Sequence, residues 1–189
     1  MGEQVEKAAD FGSAIHAACE NYAQHKTVPQ DAALLGFFEP WRIWFDNNVE
    51  EVRSVERVCV NLQHGYAGRV DLVAKVKDVG WSVVDFKTQK VKRSALGKPT
   101  PAFYETWPLQ LAGYQHALAS AGDRMLSGLV SVVIDSAQPG PAHVKVWPDQ
   151  NYFQTFQAAL DLWRYVKNYD PRSFRRGTDG ESPSMVLVA

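Results

Sequence analysis

GRVDLVAKVKDVGWSVVDFKT, residues 68–88, contains two apolar, β-branched runs, and each carries an aspartate where a core strand prefers valine. Lys77, Asp78, Val79 and Gly80 separate the runs and read as a turn, because glycine takes positive φ at no steric cost. The stretch is therefore expected to be a β-hairpin. Side chains at i and i+2 of a strand share a face, so Asp85 and Lys87 project together while Val84 and Phe86 enter the opposite layer. Asp71, on the first strand of the hairpin, approaches them from the next rung. Two carboxylates and an ammonium converging on one sheet face are costly unless something compensates, and a divalent cation with a phosphate does so. On these three residues alone, a cross-strand salt-bridged cluster is at least as good a reading.

The flanking sequence supplies the rest of a sheet and its helices. Upstream, Glu51 to Leu62 alternates apolar and polar residues with a phase slip, which predicts a strand with a bulge. Further upstream, Val5, Ala8, Gly12, Ile15, Cys19 and Tyr22 recur at steps of three and four, a helix with one buried stripe over residues 4–25. Gly12 either marks a later helix start or a close backbone approach. His16 and Glu20 are i, i+4 neighbours on that helix. A second helical stretch runs from Asp31 to Asn48, rich in aromatic residues and expected to break at Pro40.

Downstream of the hairpin, Gln89 to Tyr104 is irregular and basic. It holds Lys90, Lys92, Arg93 and Lys98, with no acidic residue between Asp85 and Glu105, so it is a candidate for contacting phosphates. Thr106 is expected to cap a helix opened by Pro108, on which Gln110 and Tyr114 share a face. Gly128 to Ser136 reads as a strand buried on both faces and Ala142 to Trp147 as an edge strand. Asp149 is expected to cap a last helix with Phe153, Phe156, Leu160, Trp163 and Val166 on one stripe. The order is helix, helix, three strands in meander, helix, strand, strand, helix, which suits a mixed sheet covered on both faces.

Composition narrows the function. The 189 residues carry a formal net charge of −1, so any nucleic-acid contact must come from localised basic residues. Cys19 and Cys59 are the only cysteines, and without a CxxC pair they build neither a tetrathiolate zinc site nor an iron–sulfur cluster. No signal peptide and no apolar run of spanning length is present, so the expected location is the cytoplasm, with no membrane partner. Residues 1–169 are expected to form a single domain and residues 170–189, with Arg172, Arg175 and Arg176, a polar tail.

Gly68-Arg69-Val70-Asp71 followed by Val84-Asp85-Phe86-Lys87-Thr88 resembles the PD-(D/E)XK nuclease superfamily, in its RecB-like, mitochondrial genome maintenance exonuclease-like branch. Three more matches fall in the right order across residues 11–118: a histidine helix (Gly12 to Glu20), Glu56 on the preceding strand, and Gln110 to Tyr114 as a Q-x-x-x-Y helix. The resemblance implies an α/β fold, a three-layer α/β/α restriction-endonuclease-like core with a central mixed sheet. It implies catalytic roles for Asp71, Asp85, Lys87, Gln110 and Tyr114. One or two Mg²⁺ or Mn²⁺ ions would be held by His16, Asp71, Asp85 and the Phe86 carbonyl, with Glu20 or Glu56 bound directly or through water. DNA would meet Ser13, Thr88, Lys90, Lys92, Arg93 and Lys98. The implied activity is a metal-dependent exonuclease working at DNA ends in recombination, repair or end processing. The alternatives are an endonuclease on the same core and a non-catalytic DNA-end-binding module. Strand preference and oligomeric state are left open.

Overall fold

The computed structural model describes residues 2–123 and 125–173. In chain order the elements are helices α1 (Gly2–His25) and α2 (Ala32–Asn48), then strands β1 (Val49–Asn61), β2 (Tyr66–Val76) and β3 (Gly80–Gln89). A short ribbon of β4 (Lys92–Arg93) and β5 (Pro99–Thr100) precedes helix α3 (Trp107–Ser120). Strands β6 (Gly128–Asp135) and β7 (His143–Val146), helix α4 (Tyr152–Lys167) and a 3₁₀ turn (Pro171–Ser173) complete the chain. None of the described helices is long and apolar enough to cross a membrane. Arg175 and Arg176 lie outside the described residues.

The main sheet has the order β1-β2-β3-β6-β7. β1, β2 and β3 form the antiparallel meander, β3 pairs parallel with β6, and β7 returns antiparallel at the edge. The parallel step is possible because α3 carries the chain across the sheet. Alternate residues of β3 and β6 enter opposite cores, as a period of two requires. Val84, Phe86, Val130 and Val132 pack with Ile15, Cys19 and Tyr22 of α1 and Phe38, Trp41 and Phe45 of α2. Val83 and Leu129 pack with Leu111, Ala117 and Leu118 of α3 on the other side. The architecture is the α/β mixed sheet between helical layers that the sequence implied.

Several local expectations need correcting. α2 runs unbroken through Pro40. Proline costs ~3 kcal/mol or more inside a helix, but Phe38, Trp41 and Phe45 are almost wholly buried on either side of it and hold the helix together. Thr106 makes no capping hydrogen bond to α3, having helical dihedrals itself. Asn151, not Asp149, caps α4 by accepting from Gln154 N–H. The stripe on α4 is covered only in its first half, and Trp163 and Val166 stay 46% and 68% exposed. Gly12 lies inside α1 because of a close approach, since a Cβ there would stand 2.9 Å from Thr88 Oγ1.

The basic segment is also less free than its sequence implies. Arg93 pairs with Asp135 of β6 at 2.6 Å, and that carboxylate is buried. Burial alone would raise the Asp135 carboxyl, but hydrogen bonds from Ala137 N–H, the Arg93 guanidinium and Val91 N–H hold it below the usual carboxylate range. Arg93 is therefore tied into the fold while its side chain stays partly exposed. Lys90, Lys92 and Lys98 remain exposed. Arg93→Ala should cost ~2–3 kcal/mol in urea denaturation by leaving a buried carboxylate unpaired, whereas Lys90→Ala should change stability by less than ~0.5 kcal/mol.

Candidate active site

The β2–β3 ladder is paired from Val76↔Gly80 to Leu72↔Val84, and Asp71 is the next residue beyond the last of these pairs. There the Asp71 carboxylate takes over from the backbone, and its Oδ2 accepts the Phe86 N–H at 2.7 Å. This bond brings the first aspartate to the strand that carries the second. Asp85 is only 4% exposed. Lys87 Nζ spans it, 2.8 Å from each carboxylate oxygen. The ammonium also donates to Gln110 Oε1 at 3.3 Å, and Gln110 Nε2 donates to the Tyr114 hydroxyl at 2.9 Å. A continuous polar chain thus runs from β3 to α3. Phe86 anchors it from the opposite face, its ring centroid 5.2 Å from that of Trp41.

A cleft of about 660 Å³ lies beside this chain. α1 contributes Ser13, His16 and Glu20, the strands Glu56, Asp71 and Thr88, and α3 Tyr114. Glu56 falls opposite Asp71 in the register, between the pairs Val55↔Leu72 and Arg57↔Val70. Its φ of 49° is a left-handed conformation that a side-chain-bearing residue adopts only at a cost. The expected bulge is seen as two register slips earlier in β1, between Val49 and Glu51 and between Val52 and Ser54. His16 Nδ1 is 3.9 Å from Asp71 Oδ2, too far for a hydrogen bond. Asp85, Lys87 and Gln110 adjoin the cleft through Tyr114, whereas Lys90, Lys92 and Lys98 do not line it.

The electrostatics are those of an under-neutralised pocket. Burial pushes the Asp71 carboxyl up to about 6, against the Phe86 hydrogen bond and the Lys87 charge. Burial and the facing Asp71 charge push Asp85 up to about 6 as well, despite Lys87. The same desolvation, with the charges of Asp85 and Asp71, pushes the Tyr114 hydroxyl up to about 12. Burial holds His16 below its ordinary value, so it faces Asp71 as a neutral imidazole with a lone pair to offer.

Two residues of the site were not singled out from the sequence. Arg69 lines the cleft and pairs with Glu56 at 2.7 Å. Its place two residues before Asp71 was the available signal, because i and i+2 share a face. Gly68 was the other, since a Cβ there would lie 2.4 Å from the Tyr114 ring. The absence of a side chain at Gly68 lets α3 set Tyr114 against β2.

A family model of the PD-(D/E)XK nuclease superfamily matches residues 38–176. The chain belongs to this superfamily, whose members are hydrolytic nucleases that generally use divalent metals, and its substrate class is nucleic acid. Among solved structures, it is similar to a protein from Eubacterium rectale described as a "putative exonuclease". The two are 12% identical with a TM-score of 0.49, over 91% of this chain and 77% of that one. No curated protein matches the chain significantly in sequence.

The donors suit the divalent ion that the family implies. Carboxylate oxygens with one neutral imidazole favour a hard cation, and two carboxylates raised chiefly by burial are stabilised by one. Among the described residues, no three His, Cys, Asp or Glu side chains are gathered closely enough to hold an ion as they stand. Lys87 sits on both Asp85 oxygens and Phe86 N–H on one of the Asp71 oxygens, so an ion bound there would share these carboxylates with the ammonium or take its place.

The sign of the pH effect follows from the two raised carboxyls. Their folded values lie above their unfolded ones, so the stability they confer is complete below about pH 4 and is lost as pH rises through about 6. Asp85→Asn should remove the Asp85 share of that loss and leave the Asp71 share. In chelator-treated protein, denaturation from pH 4 to 7 should therefore show the variant gaining on the wild type by on the order of 2 kcal/mol. Parallel pH profiles would show that the carboxylates are not desolvated.

Proposed function

We propose that this protein is a divalent-metal-dependent DNA exonuclease. The observation that carries the reading is the buried Asp71–Asp85 pair, bridged to Gln110 and Tyr114 by Lys87, within a nuclease family. Asp71, Asp85, the Phe86 carbonyl and His16 would hold Mg²⁺ or Mn²⁺, with Glu20 and Glu56 from the cleft wall. Such an ion supplies an acidified water and neutralises charge on the phosphoryl oxygens. Lys87 then serves the scissile phosphate, stabilising the anion that develops as the P–O bond breaks, without forming a bond itself. Gln110 fixes that ammonium and Tyr114, so the donors along α3 stay aimed at the strand. The raised Tyr114 hydroxyl remains protonated and donates rather than repels.

Ser13 and Thr88, on the cleft wall, are placed to contact the nucleic-acid backbone. Lys90, Lys92 and Lys98, exposed just beyond β3, would follow further phosphates without reading sequence. Sequence-specific cutting calls for an element that reaches base edges in a groove. Among the described residues α1 and α2 pack on one face of the sheet, α3 on the other and α4 chiefly against α3, which favours action from a strand end.

With Mg²⁺ or Mn²⁺, linear DNA should be degraded progressively while a covalently closed circle persists. Asp85→Asn should all but abolish hydrolysis, and Lys87→Ala should lower turnover about a hundredfold. If Asp85→Asn retained more than about a tenth of the activity, the loss of ~1.4 kcal/mol would be too small for a primary ligand. Discrete fragments from closed circles would replace the exonuclease with an endonuclease.

A further inference from the structure

A groove of about 850 Å³ is separate from the catalytic cleft yet touches it. The end of the β1–β2 hairpin forms one wall with Leu62 and Tyr66, and α4 forms the other with Phe156, Leu160 and Trp163. Among the described residues, no charged side chain lines it. At one end lie Gln110 and Tyr114, the pair hydrogen-bonded to each other and, through Gln110, to Lys87. Tyr114 lines both the groove and the cleft.

The walls hold their positions through buried contacts. Arg164 is buried at 9% exposure and donates to the His64 carbonyl and to Asp161, which ties α4 to the β1–β2 turn. Tyr66 donates to the Gly113 carbonyl at 2.8 Å and meets Phe156 edge-on at 4.9 Å. Trp163, by contrast, keeps 46% of its surface exposed and Leu62 keeps 86%. Among the described residues, aromatic and aliphatic surface thus stays uncovered beside Gln110 and Tyr114 of α3.

We propose that this groove takes the unpaired bases of a single nucleic-acid strand whose backbone is led to Lys87 and Asp85, an inference that rests on the nuclease reading above. Duplex DNA presents phosphates outward and hides its base faces, so an uncharged apolar wall offers it nothing. Unpaired bases expose flat π-faces, which aromatic side chains stack regardless of sequence. The exposed lysines that follow β3, Lys90, Lys92 and Lys98, lie outside the groove lining, so phosphates and bases have distinct places to go. An apolar protein segment would also suit such walls, but the groove opens on Gln110 and Tyr114, where the substrate strand is cut.

The test uses Trp163→Ala, Trp163→Phe and Leu62→Ser in the full chain. Binding of a fluorescein-labelled oligothymidylate and of a blunt hairpin duplex is followed by anisotropy without divalent ions. Loss of one stacking ring should weaken oligothymidylate binding about tenfold. Trp163→Phe should stay near wild type, Leu62→Ser should fall severalfold, and hairpin binding should not change. During hydrolysis of single-stranded DNA, KM should rise by the same factor with kcat unchanged, since the groove binds ground and transition states alike. Unaltered oligothymidylate binding in both Trp163→Ala and Leu62→Ser overturns the proposal and leaves the groove to a protein partner. An equal loss for the hairpin overturns it too. Binding that depends on Trp163 in a protein that hydrolyses nothing would keep the groove and sink the nuclease reading instead.

Discussion

Two carboxylates removed from water with a single ammonium between them constrain everything around them. Asp71 and Asp85 are both pushed up to about 6, which records how poorly the folded chain alone compensates them. The surrounding structure shows how the pair is tolerated. Phe86 N–H bonds Asp71 next to the last β2–β3 pair, Lys87 spans Asp85, and Gln110 holds Lys87. Even the missing side chain at Gly68 belongs to this arrangement, because it allows the Tyr114 ring its place. A buried charge cluster of this kind contributes little to stability. Its presence on the central strand points to chemistry rather than to folding.

Two kinds of buried charge stand side by side in this molecule. Arg93 and Asp135 look from the sequence like a free cation and an unrelated strand residue, but they form a saturated pair with Asp135 held low. Asp71 and Asp85 are the reverse, carboxylates held high by burial that their few partners do not offset. Residue type does not separate the two cases; the number of donors facing each carboxylate does.

Much of this was legible in the sequence because the signals are local. The hairpin, the buried β6 and the stripe of Ile15, Cys19 and Tyr22 depend on periodicity, and the structure has them where periodicity places them. The mixed sheet between helical layers followed from element order. What escaped depends on distant packing. Nothing near Pro40 announces that Phe38, Trp41 and Phe45 will hold α2 continuous. Nothing near Arg93 announces Asp135, forty-two residues away. Trp163 and Val166 fit a helical stripe, yet among the described residues no layer covers that end of α4. The cleft itself was anticipated residue by residue through family resemblance more than through physics, since Asp-x-Lys alone reads equally well as a salt bridge. Glu56 with its positive φ, and Arg69 beside it, are the parts that geometry adds.

The central claim is that the Asp71–Asp85 pair is a cation site temporarily satisfied by Lys87. Calorimetric titration of the chelator-treated protein with Mn²⁺ at pH 7 and pH 5 addresses it without any substrate. The account predicts saturable binding at pH 7 that releases protons, weakens toward pH 5 as the carboxylates protonate, and disappears in Asp71→Asn and Asp85→Asn. Mn²⁺ binding that survives in both variants, or no binding by the wild type at pH 7, would contradict it.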